Sequence, residues 1–221
     1  MNPAELRLLV ASGPPREWLD PVRFISNPST GRTGWSLATL GLDRFREVVF
    51  VSGPGLRQYG SVDGAHNVAV DTTEEMMNAV HDHLADQTLL IMSAAPADYT
   101  PAEPRDKKMK KVPGDPLTLT LKPTSDILKS IIPLADRYKQ LYRVGFAAET
   151  NNVREYAARK LREKQLDFIC ANEVYKGQRG FGENENSLLV IDKSDDSMKL
   201  GPGDKEDLAR ELLNYLIQRI P

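Results

Sequence analysis

The sequence predicts an α/β domain, a mostly parallel sheet with helices on both faces and a small antiparallel β excursion carrying a lysine-rich flap. Three observations point there. Short apolar runs at 6–11, 47–51, 88–93, 143–149 and 168–172 alternate with segments of helical pattern, the rhythm of strand–helix–strand units. The run 88–93 is continuously apolar in its middle, as expected of a central parallel strand covered on both sides. A long polar stretch, 20–34, fills the crossover between the first strand and the first helix, the place where such sheets bind ligands.

Composition sets the outer bounds. With 221 residues the chain is long enough for one α/β domain, 1–221, and short for two. A hydrophobic fraction of 40% and a charged fraction of 27% are those of an ordinary soluble protein, and no apolar run nears the ~20 residues that cross a bilayer. The first residues carry neither the basic nor the apolar region of a secretory signal, so the expectation is a cytoplasmic protein with no membrane association. A net charge of −2 argues against nucleic acid as a partner. The single cysteine, Cys170, lies in an apolar run, where a buried inert thiol is expected. His66, His81 and His83 are too few and too poorly placed for a metal site, and no metal-binding residues are assigned.

Taken in order, the run 6–11 ends at Ser12-Gly-Pro-Pro15, which fits a buried strand closing in a turn, with Gly13 where a phosphate-binding turn begins. The three spaced glycines of a dinucleotide fingerprint do not follow it, which weakens a nicotinamide or flavin reading. In the 20–34 stretch Arg23 and Arg32 supply fixed charge and forked donors, and Asn27 supplies an amide. Ser29, Thr30, Gly31 and Gly34 let backbone N–H groups approach an anion; a solvated surface loop is the alternative. A helix from 34 to 42 and a strand at 47–51 come next, then a third strand at 66–70. Thr72-Thr-Glu-Glu75 has the spacing of a capping box and opens a helix to 85.

The strand at 88–93 runs into Ala94-Ala-Pro-Ala-Asp-Tyr99, where small residues permit close backbone approach and Asp98 can orient a polar group of a substrate or a metal-bound water, or merely cap a turn. Residues 105–111 then gather five positive side chains in seven, either a solvated face or a flap that closes on polyphosphate. Strict alternation at 117–121 reads as a half-buried strand in the antiparallel excursion that carries this flap. Ser125-Asp-Ile-Leu128 opens a helix whose first N–H groups point outward. The strand 143–149 leads to a helix at 153–164, on which Lys160 and Lys164 share a face. Asn172 ends the last parallel strand, 168–172. Residues 188–192 and 198–200 suggest a terminal β pair, and 204–218 a closing amphipathic helix. The glycine-rich segment 175–186 is a candidate lid.

These residues resemble one family, phosphopantothenate-cysteine ligase (phosphopantothenoylcysteine synthetase) of coenzyme A biosynthesis. The matching segments are Ser12-Gly-Pro-Pro-Arg-Glu17, Asp20-Pro-Val-Arg-Phe-Ile-Ser-Asn27, Ser29-Thr-Gly31, Ala94-Ala-Pro-Ala-Asp-Tyr99, Lys108-Met-Lys-Lys111, Gly145-Phe-Ala-Ala-Glu-Thr-Asn-Asn152 and Ala171-Asn172, in family order along nearly the whole chain. The resemblance implies a Rossmann-like homodimer with shared active sites. It would activate the carboxylate of 4′-phosphopantothenate with a nucleoside triphosphate and Mg²⁺, release pyrophosphate, and let the amine of L-cysteine attack the acyl-nucleotide.

Carried over by motif, Asn27 and Lys108 would be catalytic. Asn27 would hold the carboxylate or acyl-nucleotide, with Ala94, Ala95 and Asp98 lining the phosphopantothenate site and Arg23 reaching it from the partner subunit. Gly13, Ser29, Gly31 and Gly34 would shape the nucleotide loop, with Asp98 and Lys108 also contacting the nucleotide. Phe146 would pack on it and Asn172 would sit at its end. Ser125, Asp126, Ile127 and Leu128, with Lys160 and Lys164, resemble the nucleotide segments of the bacterial CTP-using branch, which supports CTP over ATP. Pro15, Pro96 and Ser125 depart from the residues usual in the family, the last in the segment that meets the base. No part of the sequence resembles a flavin-dependent decarboxylase, so the expectation is a stand-alone bacterial form. An ATP-using ligase and a nucleotide-binding regulatory module without turnover are the alternatives.

Overall fold

The computed structural model describes residues 2–111, 114, 116–149, 151–173 and 186–221. The chain opens with β1 (Arg7–Ser12), a hairpin of β2 (Glu17–Asp20) and β3 (Arg23–Ile25), helix α1 (Arg32–Gly41), β4 (Glu47–Ser52) and β5 (His66–Ala69). Helix α2 (Thr73–Asp82) leads to β6 (Thr88–Met92), the short pair β7 (Tyr99–Pro101) and β8 (Leu121–Pro123), and α3 (Ile127–Ala135). Strand β9 (Leu141–Glu149), α4 (Val153–Glu163), β10 (Phe168–Glu173), β11 (Asn186–Asp192), β12 (Ser197–Gly203) and α5 (Lys205–Arg219) complete it.

Among the described residues one sheet has eight strands in the order β12-β11-β10-β9-β6-β1-β4-β5. The six from β10 to β5 are parallel, and β11 and β12 add an antiparallel edge. Alternation along each strand explains the continuous apolar runs. Leu8, Val10, Phe50, Leu89 and Ile91 meet Leu37 of α1 and Leu212 and Leu216 of α5 on one face. Leu9, Val49, Val51, Leu90 and Ile169 meet Met76 of α2, Ile131 of α3 and Leu161 of α4 on the other. Both sides of the strands are therefore desolvated, and a fully buried side chain of this kind contributes about 1.5–3 kcal/mol. Among the described residues no helix is long and apolar enough to cross a membrane.

The capping box stands as the spacing predicts: Thr72 Oγ1 accepts the Glu75 N–H at 3.1 Å, and Glu75 Oε2 accepts the Thr72 N–H at 3.4 Å. Two expectations are corrected. The stretch from 20 begins as half of a hairpin, not as loop: Pro21 and Val22 form its turn, with Asp20 Oδ1 accepting the N–H groups of Val22 and Arg23 at 2.9 and 3.0 Å. The alternating segment 117–121 is not half-buried. Leu117, Leu119 and Leu121 are 58%, 40% and 40% exposed, and the strand itself is Leu121–Pro123, paired antiparallel with β7. A three-residue pair standing off the main sheet has no helix layer to cover it, so alternation there selects no core face. Residues 175–185 of the candidate lid lie outside the described residues.

Candidate active site

The carboxyl ends of β1, β6, β9 and β10 open into a cavity of about 410 Å³. Their registers put Ala11 level with Met92, and Met92 level with Gly145; β1 and β6 stop at about that level while β9 and β10 run on together to Glu149 and Glu173, so the cavity lies over the ends of β1 and β6 and against the continuing β9 and β10. Over one side lies the start of α1. Gly31 holds φ +82°, a conformation that favours glycine, and as N-cap it offers no side chain; Thr30 Oγ1 accepts the Arg32 N–H at 3.3 Å, which leaves the Thr33 and Gly34 N–H groups for an anion. Ser12 Oγ donates to the Gly31 carbonyl at 2.9 Å and Ser93 Oγ to that of Ala11 at 2.9 Å. A Cβ on Gly34 would run into both hydroxyls, so only glycine lets α1 come this close to the strand ends.

Asn27 is held from below. Its Nδ2 donates to the carbonyls of Ala95 at 3.2 Å and Pro96 at 2.9 Å, and since both neighbours are acceptors the amide orientation is decided by them. That turn is itself tied to β1, because the Ala95 N–H donates to the Gly13 carbonyl at 3.0 Å. Gly13 supports the wall without lining it; its φ of +79° and the Gly53 carbonyl 2.6 Å from where a Cβ would stand both require glycine.

Across the cavity Asp126, not Ser125, caps α3 by accepting the Lys129 N–H at 3.1 Å. Its other oxygen takes Lys164 Nζ at 3.1 Å, and Lys160 Nζ meets Glu149 Oε1 at 2.7 Å. Both lysines line the cavity, with Phe146 inside β9 and Asn172 near the end of β10.

The structure thus gathers Asn27, Ser29, Gly31, Gly34, Ala94, Ala95, Asp98, Phe146, Lys160, Lys164, Asn172 and the 125–128 turn around one cavity. Arg23 and Lys108 do not line it. Arg23 is on the hairpin and Lys108 on the exposed flap. Lining residues outside the set assigned from sequence include Ser12, Ser93, Thr33 and Lys205. Lys205 is 8% exposed and is the first residue of α5, where the helix dipole disfavours a cation; that mismatch was the readable signal. Beside it Asp204 caps α5, and the Asp207 and Glu206 N–H groups, with Arg32 nearby, hold its carboxyl below the usual carboxylate range. Among the described residues no group of three or more His, Cys, Asp or Glu is placed to hold a metal.

The family model of the DNA/pantothenate metabolism flavoprotein C-terminal domain matches residues 4–220. The chain belongs to that family. Among curated members, the coenzyme A biosynthesis bifunctional protein CoaBC of Escherichia coli K12 is 39% identical over 210 residues, 94% of this chain and 50% of that protein. Its counterpart in Bacillus subtilis 168 is 38% identical over 210 residues, 95% of this chain and 50% of that one. The chain spans about half the length of these relatives. A crystal structure of the C-terminal domain of a CoaBC superposes with TM-score 0.78 at 32% identity, covering 99% of this chain and 97% of that one. A Cab2 mutant complexed with phosphopantothenate-cysteine shares the fold, with TM-score 0.71 at 16% identity over 98% of this chain and 86% of that one. The family's fold is therefore the Rossmann-like mostly parallel sheet expected from sequence.

Proposed function

We propose that this domain joins 4′-phosphopantothenate to L-cysteine through an acyl-cytidylate, within coenzyme A biosynthesis. The observation that carries the reading is the meeting, in one cavity, of an uncapped helix start, a lysine pair and an amide locked between two carbonyls. The names of the CoaBC relatives, bifunctional proteins of coenzyme A biosynthesis, agree with it.

In the first half-reaction a carboxylate oxygen bonds to the α-phosphorus of CTP, and the α–β bond breaks to release pyrophosphate. Two anions must be brought together, and the α1 N–H groups with Lys160 and Lys164 offset their repulsion. Asp98 fits a water-mediated hold on Mg²⁺, which would neutralise triphosphate charge. In the second, the cysteine amine bonds to the acyl carbon, CMP leaves and the nitrogen loses a proton. The family resemblance gives Asn27 the carboxylate or the acyl-nucleotide. Its two donors are already committed to Ala95 and Pro96, so the atom it offers is its oxygen, suited to accept an N–H of the incoming amine.

The 125–128 turn, Phe146 and the lysine pair line the cavity together, and the resemblance of the 125–128 and lysine segments to the CTP-using branch is what supports CTP as the nucleotide. A homodimer with shared sites is supported by Arg23 lying outside its own cavity. Exposed Val22, Phe24, Tyr99 and Leu121 on the two small antiparallel pairs are apolar surface for a second copy to cover. The test is pyrophosphate release with 4′-phosphopantothenate and Mg²⁺, comparing CTP with ATP, each with and without cysteine. Sustained release with CTP and cysteine is expected. Activity with ATP alone overturns the nucleotide assignment, and silence with both overturns the ligase.

A further inference from the structure

Asp20 is a carboxylate out of reach of the cavity, and its side chain has 0% exposure. A turn such as 20–23 needs one side-chain oxygen, and Oδ1 fills that need with the Val22 and Arg23 N–H groups. The second oxygen serves another part of the chain. Oδ2 accepts the N–H of Met109 at 3.0 Å and faces the Arg23 guanidinium at 3.6 Å. Arg23 in turn donates from its guanidinium to the Met109 carbonyl. The backbone of one flap residue, Met109, is therefore bracketed, its N–H by Asp20 and its C=O by Arg23.

Other contacts agree. The Arg105 N–H donates to the Leu19 carbonyl at 3.0 Å, and the Met109 side chain is 7% exposed while Lys108 and Lys110 on either side of it are exposed. A run with five cations in seven residues repels itself, and an ionised carboxylate beneath its centre offsets that repulsion. The Met109 N–H chiefly, with the turn N–H groups and Arg23, keeps the Asp20 carboxyl below its ordinary range and so ionised.

We propose that Asp20 is a positioning residue that locks the lysine-rich flap to the hairpin, so that Lys108 and Arg23 are presented to the ligand site as one unit. Its functional half rests on the ligase reading; its structural half does not.

Asp20→Asn separates the two jobs of the carboxylate. The amide oxygen keeps the turn, while the amide NH₂ must face the Met109 N–H and the Arg23 guanidinium, donor against donor. Asp20→Ala removes both and risks the hairpin, so the asparagine variant carries the test. In the full chain, amide exchange at Met109 is expected to speed by about tenfold or more, an opening made easier by roughly 1.4 kcal/mol. Trypsin should cut faster after Lys107 and Lys108. The KM values for CTP and for 4′-phosphopantothenate should rise together, and Asp20→Asn should add little to Lys108→Gln or Arg23→Gln, as members of one unit do. Unchanged Met109 exchange overturns the lock whatever the activity. Faster exchange with both KM values unchanged in an active enzyme overturns the presentation of the two cations. If the wild type is inactive on these substrates, exchange and proteolysis still decide the lock while the ligase reading and the presentation fail.

Discussion

Replacing Asn27 by Asp is the sharpest perturbation of the proposed chemistry, because it is nearly isosteric and reverses the hydrogen bonding. In the native site Nδ2 gives one hydrogen each to the Ala95 and Pro96 carbonyls, at 3.2 and 2.9 Å. A carboxylate there has no hydrogen to give, and an oxygen would face two oxygens at those separations. Losing two bonds at about 1 kcal/mol each, with up to 2 kcal/mol more for carbonyls left unsatisfied, gives about 2–4 kcal/mol. If that falls on the second half-reaction, decay of the acyl-nucleotide to product slows by about 30- to 900-fold. Pyrophosphate release in the first turnover, which draws on α1 and the lysine pair, should stay near wild type. Rapid-quench single turnovers, following acyl-nucleotide and product together, separate the two. Lowering the pH should lessen the defect, since the introduced carboxyl, pushed up by the carbonyls around it, regains a donor when protonated. Product formation from the acyl-nucleotide within about threefold of wild type would refute the role given to Asn27.

Gly34→Ala puts a methyl against Ser12 and 2.5 Å from Ser93 Oγ, so α1 must shift. A stability loss of about 1–3 kcal/mol is expected by denaturant titration, with weaker CTP binding by calorimetry; a variant matching wild type in both shows that α1 has slack. Lys164→Gln should weaken CTP by about tenfold, roughly 1.4 kcal/mol, and leave 4′-phosphopantothenate affinity alone. Loss confined to the other substrate would move the nucleotide elsewhere in the cavity. Cys170 is fully buried and burial pushes its thiol up, so iodoacetamide should label the native protein slowly and the unfolded protein fully; rapid native labelling contradicts the packing of β10.

The sheet was legible because its central parallel strands, β1, β4 and β6, are covered twice and so written as unbroken apolar runs. Local chemistry of fixed spacing was legible too, as at Thr72 and Glu75. Features joining distant residues were not. Nothing near Asp20 in sequence announces Met109, 89 positions away, and nothing in 117–121 says that no layer lies behind it. Most of the motif residues do meet around the cavity, because strand ends bring their following loops together. Arg23 and Lys108 fall outside it because hairpin and flap dock on each other. Ser12 and Ser93 went unassigned because a serine ending a strand looks the same whether or not it supports a helix.

The ion pairs of Lys160 with Glu149 and Lys164 with Asp126 make any polyphosphate a competitor of the protein's own carboxylates. Binding becomes an exchange of anions in which Glu149 and Asp126 are set free and must be hydrated again. The gain per lysine is then a small difference between two similar attachments. A lone phosphate or sulfate, offering one such difference, is poorly placed to win, whereas a triphosphate engages both lysines and the start of α1 at once. In the proposed ligase the cavity thus keeps its lysines oriented by Glu149 and Asp126 while declining the simple anions that surround it.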